Sequence, residues 1–419
     1  MTTGASTKSR QRDSQATTEE FLSGKLAQVD IKRIESELKS LWESAARSDK
    51  ERAQGPVTRV CVMNLIMYTD HREAEKSATD LLGDIILRHP CRAILAICRE
   101  SAPRALEAWV SARCHRTDEK TQKQICCEQI TVRGESVSTK ELASAVMPMI
   151  LADLPVFMWW NAEEFSFDKA KPFLSSVDRF IVDSGIDSGA LQFFCDLLKI
   201  MNESNARSGE PAVSCSDLNW RRSAPWREAV ALAFEKRQGQ LSPEYLPGIS
   251  SLDIRYGYAN DAASPVGLTN QALLIIGWLA SALGWRPQSA KVGEKGRVEL
   301  AFDARGNKVA VNLIAVATDE AAVGDIGSIQ IHSNKPEDVT IVASQQPGNP
   351  GIGVTCLRGI SSQKAQGATL FELDEAPERQ LIDKELENLG DEPVFKRSVA
   401  STVEILTLLT KDGGNSQRR

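Results

Sequence analysis

The pattern of apolar and polar positions divides the chain into three stretches of different character. The first stretch is polar up to about residue 18, and it then shows apolar residues at helical spacing over 21–48, where it predicts one helix. That helix either packs on the body of the protein or reaches out to a partner. The changes of pattern predict a tail with an N-terminal helix and two domains, with bounds 1–50, 51–245 and 246–419.

The second stretch alternates apolar, β-branched runs with amphipathic helical patterns. Strands that alternate with helices pair mostly in parallel, in a sheet that is covered on both faces. We therefore expect an α/β fold whose first domain is a mostly parallel, Rossmann-like sheet. A polar segment at 202–216 is predicted to be a loop. The predicted strands are 57–68, 92–98, 125–132, 155–160 and 180–183.

The third stretch begins with a run at 270–283 that is apolar almost all round, which predicts a buried helix with Gly284 just past its end. Strand patterns then follow in series, and Gly306-Asn307 between two of them is a hairpin signal. The second domain is therefore predicted to be a mixed or antiparallel sheet with helices. Its strands are predicted at 297–302, 309–316, 328–332, 339–342 and 353–357, its last helices at 375–388 and 395–409, and a disordered end at 411–419.

Composition narrows the class of protein. The 419 residues are 42% hydrophobic and 25% charged, as in ordinary globular proteins, so global disorder is excluded. The net charge is −6 and no stretch is dense in lysine and arginine, so no nucleic-acid partner is expected. No apolar segment fits a signal peptide or a membrane span, and the 9 cysteines are odd in number. We expect a cytoplasmic protein with reduced thiols.

The motifs of common enzyme chemistry are missing. The glycine-bearing segment at 348–359 has Cys356 where a dinucleotide fingerprint needs its third glycine, and it enters a strand rather than a helix. No phosphate-binding loop and no zinc spacing of cysteines occur, and only 4 histidines could serve as a base. We therefore predict no catalytic residue, no metal site and no cofactor.

Two aromatic clusters remain as candidate binding residues. The first is Trp159-Trp160 at the end of a predicted strand, and the second combines Trp220 and Arg221 with Trp226 and Arg227. Tryptophan and arginine are enriched at binding hot spots, and an arginine can also stack on a tryptophan ring. Each cluster has two interpretations: large residues that anchor the core, or residues that form or support a partner-binding surface.

Six segments in a fixed order carry a resemblance to a known family. Because these six segments occur together and in this order, the chain resembles the OpcA family, the glucose-6-phosphate dehydrogenase assembly proteins of cyanobacteria and actinobacteria. The segments are RHPCRAI (88–94), CCEQITVRG (126–134), DLPVFMWW (153–160), VDRFIVDS (177–184), DLNWRRSAPWRE (217–228) and LLIIGWLASALGW (273–285).

The resemblance implies a non-catalytic protein. Members of the family bind glucose-6-phosphate dehydrogenase and favour its active oligomer, as activators of the oxidative pentose phosphate pathway. The resemblance also implies redox control through thioredoxin, with a cysteine pair toward the C-terminus, but here Cys356 stands alone beyond Cys215. Vicinal Cys126-Cys127 is a further redox candidate, or simply a buried pair. The alternative class is a sugar-phosphate or nucleotide-using enzyme with a Rossmann-like domain.

Overall fold

The structure, a computed structural model, contains two β-sheets and the helices that pack on them. It describes residues 20–23, 27–28, 31–52, 57–71, 74–100, 103–116, 124–162, 164–185, 189–206, 213–235, 241–257, 269–293, 297–316, 321, 323–346, 349–358, 366–372 and 378–416.

The strands of the first sheet come first along the chain. They are β1 Glu20–Ser23, β2 Ala27–Gln28, β3 Val57–Arg59, β4 Met63–Thr69, β5 Cys91–Arg99, β6 Ala105–Arg116, β7 Gln124–Glu135, β8 Val156–Trp160, β9 Arg179–Val182 and β10 Ser214–Asp217. The second sheet follows with β11 Ile249–Gly257, β12 Arg286–Val292, β13 Val298–Ala304, β14 Asn307–Val316, β15 Ile326–Ser333, β16 Val339–Gln346, β17 Asn349–Arg358 and β18 Gln366–Glu372. The helices are α1 Ile31–Arg52, α2 Ala74–Arg88, α3 Thr139–Val146, α4 Phe167–Ala170, α5 Ala190–Ala206, α6 Leu218–Arg222, α7 Ala224–Ala233, α8 Asn270–Leu283, α9 Glu378–Leu386 and α10 Pro393–Ser416.

The first sheet has the strand order of a doubly wound fold. Its order is β1-β6-β7-β5-β4-β8-β9-β10, and the six strands from β7 to β10 are all parallel. Numbered along the chain, those six strands lie in the order 3-2-1-4-5-6, which is the classic dinucleotide-binding arrangement. Strand β6 pairs antiparallel with β7 on one side and with the short edge strands β1 and β2 on the other. The predicted mostly parallel, Rossmann-like sheet is confirmed.

Helices cover both faces of this sheet, which explains its continuous apolar strands. Residues of α1, α3, α4 and α5 lie in the hydrophobic cluster on one face, and residues of α2 and α9 lie in the cluster on the other. All seven residues of β4 are buried as a result. Helix α1 thus packs on the body of the protein. Helix α9 belongs to the first sheet in space, although it follows the second sheet along the chain.

The second sheet is mixed, as predicted. Its order is β12-β13-β14-β11-β15-β16-β17-β18, and only the central β11–β14 pair is parallel. Residues alternate between buried and more exposed positions along β13, β14 and β15, and the buried face shares one hydrophobic cluster with α8 and α10. The β13–β14 hairpin turns at Arg305 and Gly306, which both have positive φ angles. Glycine favours such a turn because it has no Cβ.

Several predicted bounds were wrong. The segment predicted as one helix over 21–48 contains the edge strands β1 and β2, and α1 begins only at Ile31. The stretch 57–68 is two strands, and α5 and β10 occupy parts of the predicted loop at 202–216. Strands β6, β12 and β18 were missed, because polar and charged residues interrupt the apolar patterns of their sequences. Helix α10 continues to Ser416 through part of the predicted disordered end. The predicted tail up to residue 18 lies outside the described residues.

Helices α8 and α10 cross closely at Gly277. A Cβ at this position would lie 2.5 Å from the backbone oxygen of Ser398, and the Ser398 hydroxyl donates to the Leu274 carbonyl at 2.7 Å. We expect Gly277→Ala to lower the free energy of unfolding by about 1–3 kcal/mol, because a backbone atom has little room to move away. Chemical denaturation measures this. An equal or higher stability, as helix propensity alone would give, would contradict the close crossing.

Candidate functional site

The DLNWRRSAPWRE segment forms the end of a strand and two short helices. Strand β10 ends at Asp217, whose side chain accepts the backbone N–H of Asn219 at 3.0 Å and so caps α6. Helix α7 follows with Pro225 in its first turn. The segment therefore lies at the carboxyl end of the parallel sheet, where ligand and partner sites of α/β proteins gather.

All four tryptophans proposed for partner binding are buried. The exposed fractions are 0% for Trp159 and 2–3% for Trp160, Trp220 and Trp226. Trp159 belongs to the cluster under α2 and α9, whereas Trp160 points to the opposite face and stacks on Tyr68 at 3.9 Å between ring centroids. These four side chains are buried because helices cover both faces of the sheet, and their part in partner binding stays a prediction. In this structure the four tryptophan rings have almost no exposed surface with which to contact a partner.

The two arginines of the segment have different surroundings. The Arg227 guanidinium lies 3.4 Å from the ring centroid of Trp220, and its Nη2 donates to the Trp220 carbonyl at 3.0 Å. Burial lowers the pKa of Arg227 to about 10. Arg221 is 27% exposed and donates from Nε to Glu385 Oε1 at 2.7 Å, and its Nη2 lies 3.4 Å from Glu392 Oε1. Both arginines therefore contact groups of the same chain: Arg227 stacks on Trp220, and Arg221 forms ion pairs with two glutamates.

These contacts fasten the C-terminal segment to the first sheet. Glu385 of α9 is 1% exposed and binds both Arg221 and the fully buried Arg179 of β9. Arg179 also donates to the Gly390 carbonyl at 2.9 Å, and Trp220 Nε1 donates to Glu392 at 3.1 Å. We call this group the arginine–glutamate cluster: Arg179, Trp220, Arg221, Glu385 and Glu392. The sequence signal for this cluster is an arginine at the start of the apolar strand RFIV, and it was missed in the sequence-based prediction.

One surface next to this cluster is exposed. Leu389 lies between α9 and α10 and is 52% exposed, and Val394 in the first turn of α10 is 40% exposed. They flank Glu392, which pairs with the partly exposed Arg221. We call Arg221, Leu389, Glu392 and Val394 the α6–α10 surface. We take this exposed combination of apolar side chains and a charged pair as a candidate partner-binding surface.

The two upstream motifs meet in a buried ion pair. Arg92 of RHPCRAI is 2% exposed, and its Nε donates to the Glu128 carboxylate of CCEQITVRG at 2.8 Å. Helix α1 contributes Glu35, which accepts from Arg92 Nη1 at 2.8 Å, and Trp42, whose Nε1 donates to Glu128 at 2.8 Å. These motifs therefore hold α1 on the sheet, and their role here is structural.

A second polar cluster joins the two sheets at the end of β9 and β10. Asp217 accepts the Ser184 hydroxyl at 2.6 Å and its N–H at 2.9 Å, and Asn270 at the start of α8 donates to the Ser184 carbonyl at 2.7 Å. Arg222 pairs with Asp183 beside it. Burial, with the Asp183 carboxylate as the next cause, raises the pKa of Asp217 to about 7 against its hydrogen bonds.

Asp217→Asn is expected to change how stability depends on pH. The pKa of aspartate in an unfolded chain is about 3.9. The raised pKa of the folded state therefore makes wild-type stability fall as the pH rises from about 4 through 7, and the asparagine variant lacks this loss. The difference in melting temperature, variant minus wild type, should therefore be more positive at pH 8.5 than at pH 5. A constant difference would contradict the shift, and Glu299→Gln on the exposed face of β13 is the control.

Aromatic side chains fill the switch point between β4 and β8, where strand order reverses. Tyr68 and Trp160 stack there, and Phe165, Phe173 and Phe180 lie within 6.5 Å of the Trp160 ring centroid. The connection from β4 to α2 reads DHRE, so its sequence lacks the glycines of the pyrophosphate-binding turn. The chain thus combines the dinucleotide strand order with a β4–α2 connection that lacks the glycine pattern.

The cysteines do not all match the expected reduced thiols. Cys126 forms a disulfide, and its neighbour across the antiparallel β6–β7 ladder is Cys114, so the prediction of thiols throughout was wrong. Burial raises the pKa of Cys127 to about 12 and raises that of Cys356, and both are free thiols. A high pKa makes a thiol a poor nucleophile at neutral pH.

The structure adds two observations on other classes of site. Within the described ranges, no group of three or more histidine, cysteine, aspartate or glutamate side chains is placed to hold a metal ion. In that same part of the chain, every helix is too short or too polar to span a membrane.

The fold and the site define an α/β protein of two sheets that has the doubly wound strand order and no glycine in the sequence between β4 and α2. Two family models match it: the glucose-6-phosphate dehydrogenase subunit N-terminal domain over 83–193 and the corresponding C-terminal domain over 213–399. The chain belongs to the OpcA family, whose proteins carry these two domains.

Cyanobacterial relatives support this membership. The OxPP cycle protein OpcA of Nostoc punctiforme is 28% identical over 340 residues, which cover 78% of this chain and 68% of the relative. The protein of the same name from Synechocystis is 27% identical, over 82% of this chain and 70% of the relative. The resemblance expected from six short segments is thereby confirmed.

Solved structures with a similar fold are oxidoreductases of low sequence identity. YvaA from Bacillus subtilis has a TM-score of 0.48 at 11% identity and covers 85% of this chain and 98% of that one. An oxidoreductase from Sinorhizobium meliloti has a TM-score of 0.47 at 12% identity, over 84% and 98% of the two chains.

Proposed function

We propose that this chain is a non-catalytic protein that binds glucose-6-phosphate dehydrogenase and stabilises its active oligomer in the oxidative pentose phosphate pathway. The observation that carries the proposal is the match of two domains named for the dehydrogenase subunit across 83–193 and 213–399. An activator works by binding the active state of its partner more tightly than the inactive state. Activation of a few-fold to a hundredfold needs about 1–3 kcal/mol of coupling.

The filled switch point supports a role without catalysis. A dinucleotide-dependent enzyme on this strand order needs a glycine-bearing turn after the first strand, and the DHRE connection offers none. The alternative, a sugar-phosphate or nucleotide-using enzyme, makes a different prediction for the isolated chain. Turnover of NADP with glucose 6-phosphate or related sugar phosphates by the purified chain alone would favour the enzyme.

We place the contact with the dehydrogenase on the α6–α10 surface. It combines exposed Leu389 and Val394 with the partly exposed Arg221, and the arginine–glutamate cluster beneath holds it rigid. A rigid mount limits the entropy lost on binding. In this account the buried Trp220 and Trp226, with Arg227, support the surface from below, and the fully buried Trp159 and Trp160 act only through the core.

The double variant Leu389→Glu/Val394→Glu is expected to weaken activation of the dehydrogenase by about tenfold or more, because it places charge where apolar contact is proposed. The measurement is dehydrogenase activity titrated with each variant. Val323→Glu is the matched control, since Val323 is 60% exposed and lies beside the second sheet. Full activation by a folded double variant would remove this surface from the proposal.

Two further expectations belong to the same proposal. Cytoplasmic location agrees with seven free cysteines in the described part of the chain, since reducing compartments preserve thiols. Thioredoxin is a second proposed partner, because the disulfide of Cys126 is a bond that it could reduce, whereas Cys356 is a free thiol. Both residues are buried, so this reaction requires local opening of the structure.

A further inference from the structure

A cleft of about 500 Å³ lies at the carboxyl ends of the first parallel strands, beside the filled switch point. This volume lies in the range of small-molecule sites. Strands β4 and β5 contribute its floor, the start of α3 contributes one wall, and the connection after β8 contributes the other. The lining residues are Tyr68, Asp70, Cys98, Arg99, Glu100, Val137, Ser138, Thr139, Glu164 and Lys169.

The position of the acids suggests what the cleft binds. Glu100 directly follows the second strand of the 3-2-1-4-5-6 order, and Asp70 directly follows the first. In doubly wound folds a carboxylate at the end of the second strand accepts the hydroxyls of a ribose. A carboxylate has two oxygens and can accept both hydroxyls of a vicinal diol at once.

The charges around the cleft disfavour a phosphate. Three carboxylates face two cations, and each cation is paired: Lys169 Nζ lies 3.7 Å from Glu164 and Arg99 Nη1 lies 4.0 Å from Glu135. The N-terminus of α3, which could otherwise bind an anion, is closed by a reciprocal cap between Ser138 and Glu141. The lining therefore suits a neutral ligand rich in hydroxyl groups.

We propose that this cleft is a binding site for a neutral ligand with a vicinal diol, a ribonucleoside or a free monosaccharide. The aromatic stack of Tyr68 and Trp160 closes the side where a dinucleotide would continue, so the site holds a single sugar-bearing unit. The site is separate from the α6–α10 surface, and it does not depend on the dehydrogenase being the partner.

Calorimetric titration of the full chain with four compounds tests the proposal: adenosine, AMP, glucose and glucose 6-phosphate. We expect saturable binding of either adenosine or glucose, and the one that binds identifies the source of the diol. The phosphorylated counterpart of that compound should bind about tenfold more weakly. Glu100→Gln should lower the affinity for the neutral ligand by about tenfold, as expected for a lost hydrogen bond to a charged group. Glu299→Gln on the second sheet should leave binding unchanged.

Three results would overturn the proposal. They are no saturable binding of either neutral compound, binding of a phosphorylated compound as tight as that of its neutral counterpart, and unchanged affinity in Glu100→Gln. Glu100 is exposed at the end of its strand, so the variant should fold, and its melting temperature confirms this in the same samples.

Discussion

Glu385→Gln is expected to lower the free energy of unfolding by about 3–5 kcal/mol, the usual cost of removing one partner from a buried ion pair. Glu385 is the carboxylate that two arginines share, and Arg179 has no exposed surface on which to regain hydration. The substitution keeps the size of the side chain and removes its charge. The loss should therefore reflect an uncompensated buried guanidinium rather than a cavity.

Urea denaturation of wild type and variant measures the loss. Glu387→Gln is the control, because Glu387 is exposed and lies just past the end of α9. It should change the free energy of unfolding by less than about 0.5 kcal/mol. The double variant Arg179→Met/Glu385→Leu should recover much of the loss, because an apolar pair replaces a buried ion pair at little cost. If Glu385→Gln costs no more than the control, the C-terminal segment is not held through this cluster.

Arg92→Met is expected to have an effect of similar size, about 3–5 kcal/mol, at the opposite side of the first sheet. It leaves Glu128, which is fully buried, without its guanidinium partner, and it removes the contact to Glu35 of α1. Loss of both contacts should also loosen α1, so hydrogen exchange in 31–52 should rise more than the change in global stability alone explains.

Arg33→Met is the matched control on the same helix. Arg33 is 56% exposed and pairs with Glu37 one turn away, and such pairs contribute about 0.3–0.5 kcal/mol. Equal effects of the two substitutions would mean that α1 is held by its apolar face and not by the Arg92–Glu128 pair.

The parts of the fold with strong apolar periodicity could be predicted from the sequence. Helix α8 was predicted with its observed bounds, because its sequence is apolar almost all round and it ends at Gly284 with a positive φ. Strand β6 was missed since charged residues such as Arg113 and Arg116 interrupt its apolar pattern. Pairing with β7 on one side and with β1 and β2 on the other supplies the hydrogen bonds of β6, and such pairing needs no continuous apolar run.

The candidate site shows a different limit. The sequence indicated that Trp220, Arg221, Trp226 and Arg227 form one unit, but it could not show that their partner is the chain's own C-terminal segment. Glu385 and Glu392 lie more than 150 residues away along the chain, and only the fold brings them to Arg221. An internal interface and a surface for another protein use the same residue types, so composition alone does not distinguish them.

The central claim is that the chain binds glucose-6-phosphate dehydrogenase and stabilises its active oligomer. The most direct measurement mixes the purified dehydrogenase with increasing amounts of this chain and records activity and particle mass in the same samples. The account predicts that activity rises together with a larger species that contains both proteins and that it saturates when this species is fully formed. Unchanged activity with two separate masses at every ratio would contradict it.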